Sequence, residues 1–298
     1  MTTKSKPLYK ALLFLEIGIT VAVLVALAVF LWFDLNGPAA EDTTPTDTGS
    51  RQETTNMPTE ASVAEPLPEQ TDKSALAANP LAPADFTYHG NYLTCLAADT
   101  TVGVDVSFWQ GDINWNIVQA AGMEFAMIRL GFRGTEGGSM AADECVEANY
   151  RGARDAGMKV GGYFFSQAIS VEEAVAEAEF VLELIKDWQI DMPIVYDWEY
   201  VSADARTGNV DARTLTDCTK AFCETVENAG YEAMIYFNED QSHKKMYLEE
   251  LTEYKFWLAK YEEYLDYPYR VDMWQYTCEG RVPGIDGYVD VNLYFAYS

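Results

Sequence analysis

The sequence is poor in histidine, in positive charge and, past its first 83 residues, in proline. Only His89 and His243 occur among 298 residues, and neither lies near a cysteine. The five cysteines (Cys95, Cys145, Cys218, Cys223, Cys278) form no CxxC pair. Zinc-type ligand spacing is therefore missing, and no metal or cofactor is expected. An odd cysteine count leaves at least one thiol unpaired within the chain. One or two disulfides can form if the domain lies outside the cytoplasm, and the spacing does not set their pairing. The 20 Lys and Arg face 47 Asp and Glu, a formal net charge of −27. That balance excludes a nucleic-acid partner, because phosphate binding needs a basic footprint. It also opposes attraction to anionic surfaces and is the mark of a well-solvated exterior.

One long apolar run stands out, residues 11–33, ALLFLEIGITVAVLVALAVFLWF. As a helix it would reach about 35 Å, enough to cross a bilayer with some tilt. Glu16 is its one charge, and Trp32 and Phe33 close it with aromatic anchors. Lys4, Lys6 and Lys10 precede it, whereas Asp34, Glu41 and Asp42 follow. The positive-inside rule puts residues 1–10 in the cytoplasm and everything after 34 outside. A cleaved signal peptide is the competing reading, but its apolar stretch would be shorter and the small residues at 37–40 make a poor cleavage site.

Residues 34–97 are rich in Pro, Thr and Glu, with seven of the 11 prolines between Pro38 and Pro83. Such a composition buries too little apolar surface to offset its ordering entropy, so it is read as a disordered linker. As a flexible coil it would span roughly 40–45 Å.

Residues 98–298 read as one globular domain. Short apolar runs alternate with helical patterns, predicted over 171–188, near 143–156 and near 214–228. In the first, Val171, Ala174, Val175, Ala178, Val181, Leu182 and Ile185 follow the 3.6-residue period, with Glu172, Glu173, Glu177 and Glu183 on other faces. Ser170 is placed to cap it, with Glu173 as capping-box partner. Strand–helix alternation predicts a parallel sheet. About eight strands in some 200 residues predict closure into a barrel. The last three runs are packed closely, leaving little room for helices between them. The fold class is thus α/β: an irregular TIM-like β/α barrel of eight strands and fewer than eight helices, preceded by a transmembrane helix and a linker.

In such a barrel, chemistry sits where strands end. Asp105 interrupts the run GVDVSFW, and an acid there needs a partner or an opening to water. Asp197 and Glu199 follow PIVY; side chains two apart share a face, so both would point into the mouth with Cα atoms about 6.5 Å apart. Two such carboxylates repel, pushing one toward its protonated form, which is how an ordinary Glu becomes a general acid. Asp290 lies in YVDVNLY, and closure would make the first and last strands neighbours. Trp198 alternates away from Asp197 and should wedge between sheet and helices. His243 is expected in a solvated loop, and Met123, Met127 and Met158 in the core.

Together GVDVSFWQGDINW (103–115), FAMIRLGFRG, KVGGYFFSQ, PIVYDWE, FWLAKY (256–261), MWQYT (273–277) and GYVDVNLYF (287–295) resemble glycoside hydrolase family 25, the Chalaropsis-type lysozymes. The resemblance covers about residues 101–298. It implies hydrolysis of the β-1,4 bond between N-acetylmuramic acid and N-acetylglucosamine in bacterial peptidoglycan, with no metal and no cofactor. It makes Glu199 the acid/base, Asp197 its partner, and Asp105 and Asp290 further cleft acids. Tyr163, Tyr236, Trp257, Tyr261 and Trp274 are implied as walls of the sugar site, with Gln275 a polar contact. Whether Asp197 attacks the sugar or orients the substrate's acetamido group stays open; the family's substrate-assisted route favours orientation. Three other readings also stay in view: a catalytically inactive wall-binding or scaffolding barrel, an enzyme acting on chitin, and service to an envelope-spanning assembly.

Overall fold

A computed structural model describes residues 73–297. In chain order its strands are β1 (Phe86–His89), β2 (Tyr92–Cys95), β3 (Asp99–Val106), β4 (Phe125–Arg133), β5 (Met140–Ala142), β6 (Lys159–Ser166), β7 (Ile194–Trp198), β8 (Ala233–Asn238), β9 (Lys255–Ala259), β10 (Met273–Gly280) and β11 (Val289–Ala296). Its α-helices are α1 (Trp115–Ala120), α2 (Val146–Asp155), α3 (Val171–Ile185), α4 (Ala212–Asn228) and α5 (Glu239–Lys244). The apolar run at 11–33 and the linker up to 72 lie outside the described residues. Among those described, no helix is long and apolar enough to cross a membrane.

Eight strands close a barrel in the order β3-β11-β10-β9-β8-β7-β6-β4, with β3 pairing back to β4 and β5 hanging on the outside of β4. The barrel with few helices is as predicted; the all-parallel sheet is not. β11 runs antiparallel to both of its neighbours. Residues 281–288 join it to β10, too few for the dozen or so that a parallel crossover needs. The reversal has a functional effect: the start of β11 lies at the rim where the other strands end.

Side chains alternate across the barrel wall. Phe125, Met127, Val195, Met234, Trp257 and Met273 point inward and form a dry floor. Glycine is required beside that floor, since a Cβ on Gly103 would sit 2.5 Å from the Phe125 ring. The odd partners Ala126, Ile128, Tyr196, Trp198, Ile235 and Phe237 face outward into the main core beneath the helices.

Helix α3 follows its predicted pattern with two changes. Ser170 accepts from the Glu173 N–H at 3.4 Å, but the capping box stays half made. The Glu173 carboxylate instead accepts from Ile169 N–H and pairs with Arg206 at 2.7 Å. Glu177, assigned to an outer face, is fully buried. It lies three residues from Ala174 and four from Val181, on the apolar stripe itself. Arg133 meets one of its oxygens at 2.6 Å and Ser166 the other at 2.6 Å. Burial nevertheless lifts its pKa to about 7.

The linker boundary moves inward. Residues 73–97, assigned to the disordered segment, are folded onto the barrel. Asn79 N–H donates to Pro268 C=O at 2.9 Å and Arg270 N–H to Ala77 C=O at 2.8 Å, with Leu76 buried. Residues 75–77 lie in a groove with residues 252–256 and Asp272, which lead into β9 and β10 from the end of the barrel opposite the rim. Hairpin β1–β2 then covers β10: Phe86 stands edge-on to Trp274 at 5.4 Å, Leu93 is buried and its N–H donates to the Tyr276 hydroxyl. Phe86, Leu93 and Cys95 give the segment its apolar side, which proline content obscured. His243 is exposed as expected, but on α5 rather than in a loop. All five cysteines are free thiols.

Candidate active site

The four acids named from sequence meet at the rim. Closure pairs Asp105 of β3 directly with Asp290 of β11. Asp197 closes the inward face of β7, and Glu199 sits just past the strand's end. All four line one cavity of about 410 Å³, with Tyr163, Tyr236, Trp257, Tyr261 and Gln275 on its walls. Trp274 is not there. It is fully buried on the outer face of β10, donates its indole N–H to Lys260 C=O at 2.6 Å, and lies under the hairpin. Trp274 and Gln275 are adjacent on one strand, so the two cannot share a face.

A hydrogen-bond relay fixes Asp105. Indole N–H of Trp257 donates to Asn292 Oδ1 at 2.9 Å, and the amide of Asn292 donates to Asp105 Oδ2 at 2.8 Å. The hydroxyls of Tyr236 and Tyr261 each donate to Gln275 Oε1 at 3.0 Å, and Gln275 Nε2 donates to the same Asp105 oxygen at 2.9 Å. Because indole N–H is only a donor and the Gln275 carbonyl takes two phenols, both amides must turn their NH₂ toward Asp105.

Sequence reasoning missed Asn292, Arg129 and the exposed Trp109. Among the described residues, Arg129 is the only basic one on the cavity wall. It is pinned by Asp143 at 2.7 Å and lies 5.0 Å from the centre of the Phe108 ring. The signal was present in both strand residues: Arg129 shares the inward face of Phe125 and Met127, and Asn292 that of Asp290.

Burial and crowding raise every acid. Asp105 is pushed well above the usual carboxylate range by burial and then by Asp290, against the pull of Asn292 and Gln275. Asp197 is raised by burial, then by Glu199 and Asp105. Glu199 is raised by burial and by Asp290. Asp290 goes up to about 6, chiefly through burial. One cation cannot neutralise four carboxylates, so the cluster keeps protons that isolated acids would lose.

The backbone that carries Glu199 is held from behind. Gln241 Nε2 donates to Trp198 C=O at 2.6 Å, and Gln167 Nε2 to Glu199 C=O at 2.9 Å. Thr207 donates in turn to Gln167 Oε1 at 2.7 Å. Two buried amides thus fix consecutive carbonyls at the end of β7.

A closed barrel whose rim gathers several protonatable acids between aromatic walls suits glycoside hydrolysis, in which carboxyl groups flank the scissile bond. Residues 104–285 match the family Glycosyl hydrolases family 25, and the chain belongs to that family and is a glycoside hydrolase. It is 31% identical over 210 residues to protein YegX of Escherichia coli (strain K12), covering 66% of this chain and 71% of that one. Lysozyme M1 of Streptomyces globisporus is 29% identical over 215 residues, with 66% and 69% covered. Among solved structures, the modular autolysin LytC of Streptococcus pneumoniae superposes with a TM-score of 0.57 at 25% identity, covering 66% of this chain and 47% of LytC. This chain therefore spans less than half of that modular protein.

Proposed function

We propose that the protein is a muramidase that hydrolyses the β-1,4 bond between N-acetylmuramic acid and N-acetylglucosamine in peptidoglycan. The convergence of four carboxylates on one aromatic-walled cavity carries the reading. An oxocarbenium-like transition state is positive, and a carboxylate ring favours it over the neutral ground state. Glu199 delivers the proton to the leaving oxygen; its raised pKa keeps that proton available. Asp197 is buried, and its Oδ1 has no hydrogen-bond partner among the described residues. That oxygen suits a substrate N–H and favours Asp197 as the group that orients the acetamido nucleophile. Asp105 accepts from two amides, which pull against the burial that raises it and favour its ionised form as positive charge develops on the sugar ring.

Peptidoglycan as substrate draws on the relatives: Lysozyme M1 by name, and LytC, solved also with a synthetic peptidoglycan ligand. The apolar run at 11–33 supports a single-pass anchor with the barrel outside the cytoplasm. A tethered hydrolase suits wall remodelling, including openings for an envelope-spanning assembly. Protease treatment of intact spheroplasts that spared residues 98–298 would refute this topology.

The function is tested by incubating purified peptidoglycan with wild type, Glu199→Gln and Asp197→Asn proteins, reducing with borohydride and identifying the new ends by mass spectrometry. Wild type should release reduced muramic acid ends, and Glu199→Gln should be at least about 10³-fold slower. Turnover near wild type in Asp197→Asn would remove Asp197 from the mechanism. Reduced glucosamine ends would move the cut to the other bond, and wall binding without cleavage would favour the inactive scaffold.

A further inference from the structure

A second groove, of about 620 Å³, opens beside the catalytic cavity and shares Tyr261 with it. One wall is hairpin β1–β2, which contributes Tyr88, Asn91 and Tyr92; the other is β10 with the segment following β9. The hairpin precedes residue 104, where the family match begins. Tyr88 is 55% exposed and Tyr261 53%, so two aromatic faces stand open along it. The Tyr92 hydroxyl is buried in the same wall with no hydrogen-bond partner among the described residues. A buried polar group without a partner is costly unless a ligand or water satisfies it.

The charge of the groove is one-sided. Glu262, Glu263 and Glu279 line it against Arg281 alone. Glu262 is drawn toward Lys260 at 3.5 Å, and Arg281 stacks on Tyr288 at 3.9 Å. Glu263 and Glu279 are exposed and form no ion pair among the described residues. A neutral acetamido sugar offers these two carboxylates hydrogen bonds but no positive charge. The peptide that hangs from each muramic acid does, because its diamino residue carries a free ammonium. Its amide groups also match the Tyr92 hydroxyl and the Asn91 amide. The side branch leaves the glycan axis at the sugar, and the groove leaves the cavity at Tyr261.

We propose that this groove receives the stem peptide of a wall strand whose glycan lies in the catalytic cavity, with Glu263 and Glu279 facing the ammonium of that peptide. The inference rests on the muramidase reading.

The test uses the full chain as wild type and as the E263Q/E279Q double variant. The substrates are glycan strands bearing stem peptides, the same strands with peptides removed by an amidase, and peptide-bearing strands with acetylated amines. Each exposed ammonium–carboxylate pair contributes a factor of about 1.5 to 5. The double variant should therefore show a KM about fivefold higher on peptide-bearing strands with kcat unchanged. Wild type should lose the same factor on acetylated strands, and neither change should appear on peptide-free strands. An equal loss on peptide-free strands would put sugar rings in the groove and overturn the proposal, as would a variant equal to wild type on all three. Should wild type cut none of them, the hydrolase reading fails, and cosedimentation with insoluble wall then decides the groove. A wild-type preference for peptide-bearing wall that the variant lacks would support it, and no preference in wild type would overturn it.

Discussion

Replacing Asp290 by Asn should make the protein more stable and less active, with a gain that begins above about pH 4 and is complete above about pH 6. Burial lifts the Asp290 carboxyl from its ordinary 3.8 to about 6. A group whose folded pKa is raised holds its proton more tightly folded than unfolded. Stability is then fully present below the unfolded pKa and is lost as pH rises through the folded one. Two units correspond to a ceiling of about 3 kcal/mol at about 1.36 kcal/mol each. Partial contact with solvent and the shared proton of a crowded cluster halve that, to about 1.5 kcal/mol. Asn keeps the shape and removes the charge, so the melting temperature should rise by about 3–6 °C at pH 7.5. At pH 3.5, where the folded carboxyl is already neutral, the two proteins should melt together. Activity should move the other way. Asp290 helps to raise Glu199; without it Glu199 loses its proton sooner, and the alkaline limb of the rate profile shifts to lower pH. Calorimetric scans from pH 3.5 to 8 and the pH dependence of kcat on peptidoglycan read both effects. An unchanged or lower melting temperature at pH 7.5, or an equal gain at pH 3.5, would refute the reasoning.

Gln167→Leu removes the buried donor to Glu199 C=O and should lower kcat about 10-fold or more with little change in KM, by loosening the acid; equal kcat would show that the β7 end holds itself. Gly103→Ala forces a methyl against the Phe125 ring and should cost about 1–3 kcal/mol in urea unfolding. Trp274→Phe should leave KM unchanged and lower stability by about 1–3 kcal/mol, through lost packing under the hairpin and the lost bond to Lys260 C=O; a raised KM would return Trp274 to the sugar site.

The acids were legible in the sequence because each breaks a rule locally. A charged residue in an apolar strand is conspicuous, and strand alternation states which face it takes. The pairing of Asp105 with Asp290 followed from closure alone and is met in register. The same two arguments, applied to Arg129 and Asn292, would have found them. Trp274 and the linker boundary failed together. The proline-rich composition of residues 38–83 was carried on over residues 86–95, which hold neither proline nor a Lys, Arg, Asp or Glu, so no cover over β10 was expected, and Trp274 was given to the sugar site on the family resemblance alone. The reversed direction of β11 depended on counting the eight residues before it, a length that permits a hairpin and not a crossover.

The route of the chain into the barrel gives the molecule a heading. Residues 75–77 lie where β9 and β10 begin, and the carboxylates lie where the strands end. The chain therefore joins the barrel beside the starts of β9 and β10, with Lys73 against His243 of α5 at 3.3 Å. A pull transmitted through Lys73 would load the contacts of residues 73–81 rather than the loop that carries Glu199.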